Sequence, residues 1–154
     1  MKKICIGIDP GMTGAVAFLG DEVRVVDCPP TIREMGELFR SYEGGFNVSA
    51  AIEKVGPFYK SSAKSAFTFG GNFYAWQMAL ACFRIPYWFV TPRKWQNVVF
   101  DSAKRLADTK QQSFELASRL FAPHQLELKT PRGRILDGRC DALLIAEWLR
   151  RTDK

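Results

Sequence analysis

Asp9, Glu53, Asp137 and Asp141 are the residues of this sequence whose type and setting could do chemistry. Asp9 is the charged end of the apolar run Ile4-Cys5-Ile6-Gly7-Ile8 and is followed at once by Pro10-Gly11-Met12-Thr13-Gly14. Glu53 ends Val48-Ser49-Ala50-Ala51-Ile52, and Asp137 and Asp141 open the apolar stretch that runs to Leu149. An ionised carboxylate at the edge of a core is costly unless something positive meets it. Four of them suggest a site for hard divalent cations, which take oxygen ligands. Each acid also has a plainer reading. Asp-Pro-Gly is ordinary turn chemistry, a strand-end glutamate can swing into solvent, and Asp137 can cap a helix. Asp141 fits no such reading, because Leu144, Ile145 and Trp148 continue its helix face and turn it toward the core.

The elements that must position these acids follow from patterning. Lys3 to Ile8 reads as a central strand, with Ala15 to Leu19 and Val23 to Asp27 as two more after short turns, an antiparallel meander. Pro29-Pro30 breaks it, and Thr31 is placed to cap a helix through Met35, Leu38 and Phe39. Val48 to Val55, between Gly44-Gly45 and Gly56-Pro57, reads as a fourth strand buried on both sides. The polar, aromatic and Gly-rich stretch Phe58 to Asn72 leads into a helix from about Phe73 to Phe83, and Tyr87 to Val90 is a fifth strand. Ala107 to Phe121 is helical until Pro123 stops it. Leu126 to Ile135 reads as an irregular basic loop, and the helix Asp137 to Arg151 closes the chain. The expectation is an α/β fold, a mixed five-stranded sheet with helices on its faces.

Composition bounds the rest. At 154 residues and 47% hydrophobic the chain can bury a core and suits a single domain over 1–154. A net charge of +6 and a pI near 9.3 favour a polyanionic partner. Cys5, Cys28, Cys82 and Cys140 are dispersed without a C-x-x-C pair, and His124 is the single histidine. That argues against zinc and against Ser-His-Asp or Cys-His catalysis. Cysteines used as small hydrophobes, with no signal-like or membrane-spanning stretch, lead us to expect a reducing, cytoplasmic setting.

Three ordered motifs carry a family resemblance. Ile6-Gly7-Ile8-Asp9-Pro10-Gly11-Met12-Thr13-Gly14, Ala51-Ile52-Glu53, and Asp137-Gly138-Arg139-Cys140-Asp141-Ala142-Leu143-Leu144-Ile145-Ala146 together resemble the RuvC-type Holliday junction resolvases. Ser65-Ala66-Phe67-Thr68-Phe69-Gly70 is similar to that family's segment before its second helix, and Ala107-Asp108-Thr109-Lys110-Gln111-Gln112 to its lysine-bearing helix start. The resemblance implies a ribonuclease H-like fold, a homodimer, and two Mg2+ ions, replaceable by Mn2+, held by Asp9, Glu53, Asp141 and one further acid. In the family a third ligand often stands three residues before the last aspartate. Gly138 occupies that position here, and Asp137 precedes it by one.

The resemblance also implies a role for Lys110 in neutralising the scissile phosphate, and an endonuclease that resolves four-way DNA by paired symmetric nicks leaving 5′-phosphate and 3′-hydroxyl ends. Phe58, Tyr59, Lys60 and Lys64 interleave rings and lysines after Glu53, as suits unpaired bases and phosphates. Lys94 with Trp95, and Arg132 with Arg134, are further candidates for backbone contact. No membrane or small-molecule substrate is expected. The competing readings are a broader flap, branched-DNA or RNA nuclease, a non-catalytic DNA-binding protein, and an ATP binder whose phosphate loop is Asp9 to Gly14.

Overall fold

A computed structural model describes residues 3–43, 47–54, 56, 62–100 and 108–153. Strands β1 (Ile4–Asp9), β2 (Ala15–Leu19), β3 (Val23–Asp27), β4 (Val48–Glu53) and β5 (Tyr87–Val90) form one sheet in the order β3-β2-β1-β4-β5. β1 pairs antiparallel with β2 and β2 with β3, whereas β1–β4 and β4–β5 are parallel. This is the expected mixed sheet, the meander followed by crossovers, in a ribonuclease H-like arrangement.

Alternation along the central strands divides the core into two layers. Ile6, Ile8, Ala50 and Ile52 point to one face, where Met35 and Phe39 of the α1 region (helix Ile32–Glu37) and Trp76 and Leu80 of α2 (Ala63–Cys82) cover them. Cys5, Ala17 and Ala51 point to the other, beneath α3 (Pro92–Val99), α4 (Thr109–Leu120) and α5 (Asp137–Thr152). Thr31 caps α1 as expected, accepting from the Glu34 amide at 3.2 Å. No helix among the described residues is long and apolar enough to cross a membrane.

Several boundaries differ from the sequence reading. α2 begins at Ala63, ten residues before the expected start, with the Ser62 hydroxyl accepting from the Ser65 amide at 3.1 Å. Gly70-Gly71 suggested a loop, but a helix tolerates glycine at a modest cost, and a Cβ at either position would meet nothing within 4 Å. α3 had no separate place in the sequence reading. Thr91-Pro92 starts it, with proline in the first turn where its missing N–H costs nothing. Leu126 to Ile135 is not irregular. A 3-10 segment runs from Ala122 to Leu128, and a closed turn joins Lys129 to Ile135, with Gly133 at φ 82°.

Candidate metal centre

β1 and β4 place the first two acids. Ile8 is paired with Ile52, so Asp9 and Glu53 follow side by side at the carboxyl ends of neighbouring parallel strands. Both share the parity of Cys5 and Ala51 and thus belong to the face that α5 covers. The chain leaves β1 toward β2 and leaves β4 toward β5, on opposite sides, which opens a crevice at those carboxyl ends.

α5 supplies the other two. It lies so close to β1 at Gly7 that a Cβ there would overlap the Ala142 carbonyl oxygen and the Ala146 amide nitrogen. Glycine at 7 therefore sets the depth at which α5 seats, and with it the position of Asp141. At the helix start a Cβ on Gly138 would overlap the Thr13 carbonyl oxygen and approach Gly14 Cα to 2.8 Å. The β1–β2 turn occupies the space a side chain at 138 would need, which gives a packing reason for the acid to stand at 137. Leu136, not Asp137, is the N-cap residue, and it makes no side-chain cap bond. Asp137 is left to pair with Lys110, its Oδ2 2.7 Å from Nζ.

Each acid has its own polar partner. The Gly11 amide donates to Asp9 Oδ1 at 3.1 Å, the Trp95 indole Nε1 donates to Glu53 Oε1 at 2.7 Å, and the Ser113 side chain acts to lower the Asp141 carboxyl. Burial raises the Asp9 carboxyl above its ordinary value, offset in part by Gly11 and reinforced by the charge of Asp137. Burial pushes Glu53 to about 7, against the Trp95 bond and with the Asp9 charge. Asp141 rises to about 8, chiefly through burial, and the charges of Asp9, Glu53 and Asp137 add to it. The four acids are thus electrically coupled in a partly desolvated crevice. Among the described residues no three His, Cys, Asp or Glu are drawn together as a ready-made cage. The donor set is nevertheless all carboxylate, with an excess of negative charge that divalent cations would relieve, and it fits hard oxygen-seeking ions.

A pH dependence follows from these shifts. A carboxyl whose folded value lies above its unfolded one weakens folding as pH rises from the ordinary carboxylate range toward the raised value. Glu53 and Asp141 do so between about pH 4 and 8. Asp27 and Asp153, held low by Arg139 and Lys3, act only below that window. Thermal melts in chelator are expected to show a midpoint lower by about 5–10 °C at pH 8.5 than at pH 5.5, with Asp141→Asn removing much of the difference. A flat wild-type profile would contradict the coupling.

Lys110 lies on the first turn of α4, where the Asp108 side chain accepts from the Lys110 and Gln111 amides. The bond to Asp137 and that residue's charge raise its ammonium above the usual lysine value. Lys110, Arg134, Asp137 and Arg139 line a cleft of about 560 Å³ together with Thr13 and Asp27. Arg132 and Lys64 are exposed, and Lys94 is exposed with Nζ 5.7 Å from the Trp148 ring centroid. Phe58, Tyr59 and Lys60 lie outside the described residues. Trp95, proposed beside Lys94 as a DNA contact, is fully buried and cannot touch DNA; it faces Glu53 instead.

Three roles at the site escaped sequence reasoning: those of Trp95 toward Glu53, Ser113 toward Asp141 and Arg139 toward Asp27. Arg139 donates to Asp27 through Nε at 2.6 Å and Nη2 at 2.9 Å, and through Nη1 to the Glu127 carbonyl at 2.8 Å, tying α5 to the end of β3. The sequence offered no sign of a partner 112 positions away.

Moving the acid tests the packing reason for position 137. The double variant Asp137→Gly, Gly138→Asp is expected to lose about 3 kcal/mol of stability through the clash with Thr13–Gly14, and to regain none of the activity lost by Asp137→Gly. Melts and junction cleavage check this; a wild-type midpoint would refute it.

No family model matches the sequence, and no curated relative was detected. Solved structures do match. The chain resembles T. thermophilus RuvC in complex with Holliday junction substrate, at 14% identity and a TM-score of 0.62, over 97% of this chain and 95% of that one. A second Thermus thermophilus RuvC structure gives 17% identity and a TM-score of 0.59, covering 97% and 96%. At such identities the likeness establishes the fold: this chain is folded as RuvC is.

Proposed function

We propose that the chain is a metal-dependent, structure-specific endonuclease that resolves four-way DNA junctions, with residues 1–154 as a single nuclease domain working as a homodimer. The observation that carries the reading is the register of Asp9 with Glu53 on adjacent strand ends beneath the helix that bears Asp137 and Asp141. The fold shared with a RuvC solved on Holliday junction substrate supports the choice of DNA.

In this reading Asp9, Glu53, Asp141 and Asp137 hold two Mg2+ or Mn2+ ions. When bound, such a pair activates a water on one side of a phosphodiester and stabilises the leaving 3′ oxygen on the other. Asp137 pairs with Lys110 through Oδ2, which leaves Oδ1 for a cation, and the exposed ammonium, lining the cleft beside Asp137, is available to the scissile phosphate. Arg134 on the same rim and Lys64, Lys94 and Arg132 elsewhere supply positive charge for the phosphate backbone. Phe58, Tyr59 and Lys60 remain candidates for the junction centre.

Phe67, Tyr74 and Met78 are exposed and recur along one side of α2, a surface suited to a second copy of the chain. Twofold symmetry would place two sites on two like strands, the geometry that paired nicks require. The experiment is a panel of labelled four-way junction, flap, plain duplex and RNA hybrid, with and without Mg2+. Preferential cutting of the junction is expected. Equal cutting of all four substrates would replace it with a nuclease of broad taste, and Mg2+-independent binding without cutting would make the acids structural.

A further inference from the structure

Buried indole N–H groups in this protein are not routinely satisfied. Trp76 and Trp148 have Nε1 atoms buried without an acceptor among the described residues, whereas Trp95, as enclosed as Trp76, donates to Glu53 Oε1 at 2.7 Å. Trp95 sits in the apolar layer between α3 and the sheet, its ring edge-on to Phe100 at 5.7 Å, and its one polar atom is spent on one of the four acids. The donor belongs to a helix, α3, other than the strand that carries the acid it holds.

We propose that Trp95 is a positioning residue of the cation site, fixing the Glu53 carboxylate in the orientation in which cations are met; this rests on the metal-dependent nuclease reading above. An indole N–H only donates, so it meets Glu53 as a carboxylate acceptor and offers no competing ligand atom. Held by one oxygen in a dry pocket, a glutamate loses its rotamer freedom before any cation arrives, and the ordering cost is not charged to binding. Donors of this kind behind metal-binding carboxylates commonly contribute 10–100-fold in affinity.

The test is Mn2+ binding to metal-free protein by calorimetry, for wild type, Trp95→Phe, Trp95→Met and Asp9→Asn, with melts and junction cleavage across a Mn2+ series. Trp95→Phe keeps a ring against Phe100 and removes the N–H. Both positioning variants are expected to bind Mn2+ about 10–100-fold more weakly, while cleavage at saturating Mn2+ returns to within about threefold of wild type. A purely structural role would lower the midpoint and the fraction of competent protein at an unchanged Kd, and would overturn the proposal. If Trp95→Phe fails to fold, Trp95→Met, a flexible side chain that fills irregular core gaps and carries no donor, makes the same decision alone. Wild-type Kd in the positioning variants, with binding lost in Asp9→Asn, sinks this inference and leaves the nuclease reading standing. Absence of Mn2+ binding by wild type sinks both.

Discussion

Asp9→Asn is expected to leave the protein folded and no less stable, yet to slow junction cleavage in Mg2+ by at least roughly a thousandfold, about 4 kcal/mol of transition-state stabilisation. The two halves have one cause. Asp9 lies in a crevice that disfavours its charge, coupled to Asp137, and the hydrogen bond its carboxylate accepts from the Gly11 backbone N–H is one that an asparagine oxygen can still accept. Removing the charge therefore relieves the metal-free fold while depriving the cations of a ligand. A destabilised variant with proportionately reduced activity would mean that Asp9 is a structural turn residue. Melts in chelator beside single-turnover cleavage separate the outcomes.

Gly7→Ala is expected to do the reverse, damaging fold and site together. Its single added methyl would overlap the backbone of α5 at Ala142 and Ala146, and backbone on both sides leaves no rotamer through which to escape. Overpacking of this kind costs about 3 kcal/mol, or about 6–12 °C of midpoint in a chain of this size, and lifts the helix that carries Asp141. Gly36→Ala is the control. A Cβ there meets only Phe83 at 3.8 Å, so the helix gains about 0.5–1 kcal/mol. If Gly7→Ala melts with the wild type, the seat of α5 does not set the site.

The contrast between these two substitutions shows what was legible in the sequence and what was not. An apolar strand run ending in an acid singled out Asp9 and Glu53 as candidates, and an acid on the buried stripe of a helix singled out Asp141, because both signals are local. The mixed sheet followed from the order of elements. The long α2 was hidden because Gly70-Gly71 imitates a loop break when only composition is read. Trp95 and Ser113 were hidden for a different reason. They act on residues 42 and 28 positions away, and no spacing rule links a tryptophan on one helix to a glutamate at a strand end. Position 138 was visible only as a departure from the family pattern; the Thr13–Gly14 backbone that excludes a side chain there appears only in the packed structure.

The central claim is that these four carboxylates form the cation-dependent cutting site of a junction resolvase. Its most direct measurement is strand-by-strand mapping of cleavage on a labelled four-way junction, with Mg2+ or with chelator. Symmetric nicks in two opposed strands, leaving 5′-phosphate and 3′-hydroxyl ends, requiring Mg2+ or Mn2+ and absent with Asp9→Asn, are the result expected. An intact junction in both metals, or the same nicks from Asp9→Asn, would contradict it.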